Sequence, residues 1–333
     1  MGLPVFISTG QSNNPLKREL EQQLVEQLSA DPAFDLTLVA NLYDLSPAGP
    51  ALTAMGEVDK EMLVISWFYS RGAHWILDRN GIHGQVGEIE LEIENDDEDE
   101  QDEDEDQPEE EIYRVIDDRP LPDREIFCLN MKASEQADDF VEEARRIAQL
   151  VLNKWIQGNP DPEQLARFQQ PVNQQAAAAV PTLETDAARR WYPVIDFSRC
   201  TNCMECIDFC LFGVYGVDRA ETILVEQPDN CRKGCPACSR VCPENAIVFP
   251  QHKSPAIAGA QVDLGGLKID LSLLFGKPDA ADEAARERDE QLVLAGRSPV
   301  SNDDAPLEKR QANKPSAPAD ELDGLLDQLD ELA

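Results

Sequence analysis

Eight of the nine cysteines lie between Cys200 and Cys242, in two runs: Cys200-x2-Cys203-x2-Cys206-x3-Cys210 and Cys231-x3-Cys235-x2-Cys238-x3-Cys242-Pro243. A Cys-x2-Cys-x2-Cys loop wraps three thiolates around one small volume, as an iron–sulfur cubane requires, and leaves the fourth ligand to come from elsewhere. In a run of the form C-x2-C-x2-C-x3-C-P the last cysteine reaches a partner cluster, so two such runs interlock. Cysteine pairs two residues apart also build structural zinc sites, and cysteine-rich segments build disulfide scaffolds. A zinc site usually takes two ligands from each of two knuckles, which leaves one cysteine of the first triple redundant. No basic-plus-apolar signal opens the chain, and a reducing cytosol keeps such thiols unpaired.

The two runs resemble those of the bacterial two-cluster [4Fe–4S] ferredoxins, over roughly residues 190 to 250. The resemblance implies that Cys200, Cys203, Cys206 and Cys242 hold one cluster and that Cys210, Cys231, Cys235 and Cys238 hold the other. The first run ends Cys210-Leu211 without the family's proline. The second has one extra residue before Cys235, within Arg232-Lys233-Gly234, where a glycine can take positive φ and absorb it. Tyr192–Asp196, Gly213–Val217, Thr222–Val225 and Ala246–Phe249 read as short strands enclosing the clusters in a small α+β unit.

The rest of the chain must position this unit. It has 333 residues, with 65 acids against 29 bases and a net charge of −36, a balance that points away from nucleic acid. No apolar run approaches a membrane span, so a soluble, cytoplasmic protein is expected. Residues 1–157 read as an α/β domain, a parallel sheet with helices on both faces. Its strands are the apolar runs Leu3–Ile7, Leu36–Val39, Met62–Trp67 and Glu125–Leu129. One helix begins after Asn14-Pro15 with Leu16, Leu20, Leu24 and Leu28 on one face, and a second carries the stripe from Ala137 to Trp155, capped by Ser134.

Within this domain Ile89, Leu91 and Ile93 alternate with glutamates, which predicts a strand returning at Ile112–Ile116 as a hairpin with a disordered acidic tip at about 95–111. Residues 158–190, punctuated by Pro160, Pro162, Pro171 and Pro181, have linker composition, so the unit at 191–252 is expected to be flexibly attached. The tail, 253–333, is expected to be mostly disordered, from Gly276 to Asp320 above all, with an apolar segment at Leu264–Phe275 and a terminal amphipathic helix at 320–333.

In open parallel sheets ligands sit beyond the carboxyl ends of the strands, which singles out Ser8–Ser12 and Tyr69–His74. This layout faintly resembles the class II tetrapyrrole chelatases of the sirohydrochlorin type. That resemblance implies a metal-site role for His74, with Gln11 standing where such enzymes place a second histidine. Arg71 is a candidate anion ligand, and His74, Asp78 and His83 a candidate metal group. No nucleotide-binding glycine motif is present. Cys128, inside an apolar strand, reads as a small buried hydrophobe. The expected function is an electron carrier with two [4Fe–4S] clusters that exchanges electrons with redox partner proteins, a reductase or a client enzyme. The competing readings are a redox enzyme or chelatase-like protein whose first domain binds substrate, and a structural zinc protein.

Overall fold

β1 (Leu3–Ser8) shows why the first domain forms: Leu3, Val5, Phe6 and Ile7 are all buried, so the strand needs a cover on both faces. The computed structural model describes residues 2–93, 112–157, 166–168, 170, 179–183, 188–260 and 280–300. β1 pairs in parallel with β2 (Phe34–Val39) on one side and with β3 (Met62–Ser66) on the other. β4 (Gln85–Val86), β5 (Glu125–Asn130) and β6 (Thr182–Leu183) complete a six-stranded parallel sheet in the order β4-β5-β3-β1-β2-β6. The two-residue edge strands β4 and β6 carry too little pattern to be read from sequence.

α1 (Pro15–Ser29) starts where Asn14 Oδ1 accepts the Leu16 N–H at 3.0 Å. It buries Leu20, Leu24 and Leu28, whereas Leu16, in its first turn, is exposed. α4 (Ala137–Gln157) lays Phe140, Val141, Ala144, Ile147 and Val151 beside α1 on the same face of the sheet. α2 (Pro50–Gly56) and α3 (Ser70–Arg79) cover the opposite face.

That second face is not closed by helices alone. Its core takes in Tyr192, Val194 and Val248 from the cysteine-bearing unit. Tyr192 stacks on Tyr43 with centroids 4.2 Å apart and donates its hydroxyl to the Tyr43 carbonyl at 2.9 Å, a pairing worth about 1 kcal/mol beyond the area it buries. Arg71 Nε reaches Asp196 Oδ2 at 2.5 Å, and Arg71 Nη2 donates to the Asn245 carbonyl. Two side chains of the first domain thus grip both ends of the cysteine unit. The two parts share one core, and Pro181 presents its carbonyl to Leu38 N–H at 2.8 Å and leads into β6, while most of the expected linker, 158–190, lies outside the described residues.

The cysteine unit contains two antiparallel pairs, β7 (Val194–Ile195) with β10 (Ile247–Val248) and β8 (Tyr215–Val217) with β9 (Ile223–Val225). Short helices α5 (Glu205–Phe209) and α6 (Ala237–Val241) follow the two cysteine runs. α7 (Pro255–Ala258) and α8 (Ala280–Leu294) come after them.

Two further expectations are corrected. The residues flanking the acidic run do not pair as a hairpin. Ile89 and Leu91 pack on the α1–α4 side, where Glu90 N–H donates to Glu143 at 2.8 Å and Arg146 donates to the Glu88 carbonyl at 3.1 Å, so side chains satisfy the backbone that a partner strand was expected to satisfy. On the other side, Val115–Asp118 forms a 3₁₀ turn against the cysteine unit, with Val115 N–H on the Cys200 carbonyl at 2.8 Å. Residues 280–300 are ordered as well. α8 has few large apolar side chains, which hides it in the sequence, yet it docks through the fully buried Ala284 and through Glu287 on Arg240 at 3.0 Å. The acidic tip, Leu264–Phe275 and 320–333 lie outside the described residues.

Candidate functional site

The first cysteine loop turns tightly because Asn202 (φ 58°) and Met204 (φ 65°) take left-handed backbone conformations. In the second, Gly234 sits at φ 86° with open space around it, so the extra residue is absorbed where a side chain's conformational penalty does not arise. α5 carries Cys206 and leads to Cys210, and α6 carries Cys238 and leads to Cys242.

The thiols gather around two separate cavities. Cys200, Cys203, Cys206 and Cys242 line the first, walled by Ile223, Ala246 and Ile247. Cys210, Cys231, Cys235 and Cys238 line the second, walled by Phe209, Val214 and Tyr215. Each run therefore sends its last cysteine to the other run's cavity. Among the described residues no three His, Cys, Asp or Glu side chains converge as they must around a single ion.

Burial pushes the Cys200 thiol up to about 11 and the Cys206 thiol up to about 12, and raises Cys231 and Cys238 as well. Buried thiols of this kind are neutral at pH 7 and lose their protons on meeting a cation. Donors already point at the sulfurs: Ala246 N–H reaches Cys242 Sγ at 3.2 Å, the Tyr215 hydroxyl reaches Cys238 Sγ at 3.1 Å, and backbone N–H groups serve Cys200 and Cys235. This donor set fits a cofactor that carries negative charge on sulfur.

A 66-residue stretch of the chain is 48% identical to an uncharacterized ferredoxin of Methanocaldococcus jannaschii, covering 20% of this chain and 44% of that protein. The match supports a ferredoxin-type domain. The chain thus spans under half the length of this relative, and most of the chain lies outside the match. No family model matches the chain, and no solved structure does. Among the described residues no helix is long and apolar enough to cross a membrane.

The ferredoxin-type domain is screened unevenly. Cys203 is exposed, so the first cavity has a solvent-facing edge. Over the second lies α8, whose Arg288 lines the cavity and holds its guanidinium 4.7 Å from the Phe209 ring centroid. Nothing in the sequence signalled this cover, because residues far along the chain and rich in charge supply it.

The candidate residues of the first domain have separate surroundings. Gln11 donates to Asp44 Oδ2, which with the Arg190 N–H on Asp44 Oδ1 at 2.8 Å ties the two parts of the chain together. Arg71 spans to Asp196 and Asn245. His74 is buried edge-on to Trp75, and burial lowers its proton affinity, leaving a neutral ring. His83 Nδ1 lies 2.9 Å from Asp78, which also holds Arg119 at 3.1 Å. These surroundings add nothing to the chelatase resemblance.

Cys128 is fully enclosed in β5 opposite Val64, and burial raises its thiol to about 12. Cys128→Ala is expected to leave iron content unchanged and to cost about 1 kcal/mol through the small void it opens. Iron analysis beside a thermal melt checks both.

Proposed function

We propose that the ferredoxin-type domain holds two [4Fe–4S] clusters and that the chain is an electron-transfer protein. Cys200, Cys203, Cys206 and Cys242 would hold one cluster, and Cys210, Cys231, Cys235 and Cys238 the other. Bound there, each cluster supplies one-electron uptake and release. The observation that carries the reading is the exchange of Cys210 and Cys242 between two four-thiol cavities, which matches the interlocked ligation of two-cluster proteins. The triple Cys200-x2-Cys203-x2-Cys206 also favours clusters over zinc, because a zinc site fed by two ligands from each of two knuckles leaves one of the three redundant.

The chain's own residues set the conditions for electron transfer. Ala246 N–H and the Tyr215 hydroxyl donate to ligand sulfurs and favour the more reduced, more negative state. Phe209, Val214 and Ile223 keep water away from the two sites. The exposed Cys203 edge is the natural point of exchange with a partner, and the net charge of −36 suits docking on the basic face of a reductase or client enzyme.

Anaerobically prepared protein is expected to show a broad absorption band toward the blue end of the visible spectrum that dithionite bleaches. A colourless protein with stoichiometric zinc would overturn the reading.

A further inference from the structure

The two four-thiol cavities differ in what covers them. The first is lined by Cys203 and Glu205, both exposed. The second has Arg288 of α8 in its lining, and two of its thiols, Cys235 and Cys238, are buried.

α8 touches both chain segments that supply the second cavity. On the second cysteine run, the fully buried Ala284 packs against Cys235 and Ala237, and Glu287 and Glu283 hold Arg240 at 3.0 and 3.9 Å. On the end of the first run, the Arg288 guanidinium lies over the Phe209 ring, and Arg297 donates to the Leu211 carbonyl at 2.7 Å. Phe209 and Leu211 flank Cys210, the ligand that crosses over. Gly296, at φ 75°, ends the helix, and Arg297 N–H returns to the Leu292 carbonyl at 2.9 Å, which brings the Arg297 side chain back toward Leu211.

These contacts are not those of a helix that docks to build a core. Such a helix buries a stripe of large apolar side chains, whereas Leu292 is the one large apolar side chain that α8 buries. Its contacts fall on the rim of the cavity instead. Asp289, 6% exposed along its side chain, holds Arg288 Nε at 3.0 Å, which fixes the guanidinium over Phe209 and offsets its charge. Arg288 therefore acts by covering the cavity more than by its field.

A helix is about 10–12 Å across with its side chains. A partner docking over α8 is held that much further from the second cavity, and electron tunnelling falls steeply with distance. The exposed Cys203 edge carries no such cover.

We propose that α8 is a built-in cap on the second cluster, so that partners exchange electrons with the first cluster and the second is reached only from within the protein. The proposal rests on the two-cluster reading.

The test takes the full chain, reduced with dithionite and freed of the excess, mixes it anaerobically with an uncharged water-soluble quinone, and follows reoxidation in the visible spectrum. Cys203→Ala removes the first cluster; it is expected to keep about half the iron and to reoxidise far more slowly than the unaltered protein. Ala284→Glu sets a carboxylate against Cys235 and Ala237 and drives α8 from its seat. Alone it is expected to change the rate little, and combined with Cys203→Ala to restore fast reoxidation. Glu287→Lys, which sets a cation against Arg240, is expected to do the same and serves should Ala284→Glu fail to fold. Tryptic cleavage within α8 reports that the helix has left. Cys203→Ala that keeps half its iron yet reoxidises as fast as the unaltered protein would overturn the cap and leave the cluster reading standing. So would a double variant whose α8 is cleaved and whose remaining cluster stays slow. An unaltered protein without iron, or Cys203→Ala that loses all of it, would overturn the cluster reading and the cap with it.

Discussion

Arg71→Ala is expected to destabilise the chain by about 3 kcal/mol, because it takes the nearest cation from a buried carboxylate, which keeps only Arg199 at 3.8 Å and the Ser198 N–H and hydroxyl. Asp196 is 2% exposed along its side chain and Arg71 7%, so water replaces little of what is lost. The change also removes a donor from the Asn245 carbonyl, and Asn245 stands at φ 48° between Cys242 and the strand that follows. The melting temperature should fall by about 10 °C. Arg71→Lys should recover only part of this, since one ammonium cannot span two acceptors on separate segments as a guanidinium does. Pairing Arg71→Ala with Asp196→Asn should recover more, because the buried charge that lost its nearest cation is then gone. A loss within about 1 kcal/mol for the single change would mean that the two parts of the chain do not depend on this contact.

Cys242→Ala is expected to remove the cluster of the first cavity, taking about half the iron with it, although Cys242 belongs to the second run. Combinations of variants separate crossed from uncrossed ligation. In the crossed arrangement Cys203→Ala with Cys242→Ala loses no more iron than either alone, since both act on one cavity, whereas Cys203→Ala with Cys210→Ala loses both clusters. The opposite pattern would assign each run its own cluster.

What the sequence made legible follows from how local the signal is. The cysteine spacing carries its geometry within a few residues, and the left-handed turn at Gly234 falls where the extra residue was noticed. The strands from Leu3, Phe34, Met62 and Glu125 were readable because burial on both faces leaves unbroken apolar runs. The contacts between distant segments were not readable. Tyr43 and Tyr192 are unremarkable tyrosines until they stack across 149 residues of chain. The alternation at Ile89–Ile93 has the period of a half-buried strand, yet Glu143 and Arg146 satisfy that backbone from α4. α8 was hidden because Ala284 and the Arg288 guanidinium make its contact with the cysteine unit, and Leu292 is the one large apolar side chain it buries. In the first domain, Gln11 donates to Asp44, which accepts the Arg190 N–H, and Arg71 binds Asp196 of the ferredoxin-type domain, contacts that no local pattern in the sequence signals.

The most direct measurement of the account is iron and acid-labile sulfide content, with EPR of the dithionite-reduced state, on protein prepared anaerobically. Two cubanes in one small domain predict about eight iron and eight sulfide per chain, and a spectrum broadened by magnetic interaction between two nearby centres. About four iron with the signal of one isolated centre, or zinc in place of iron, would contradict it.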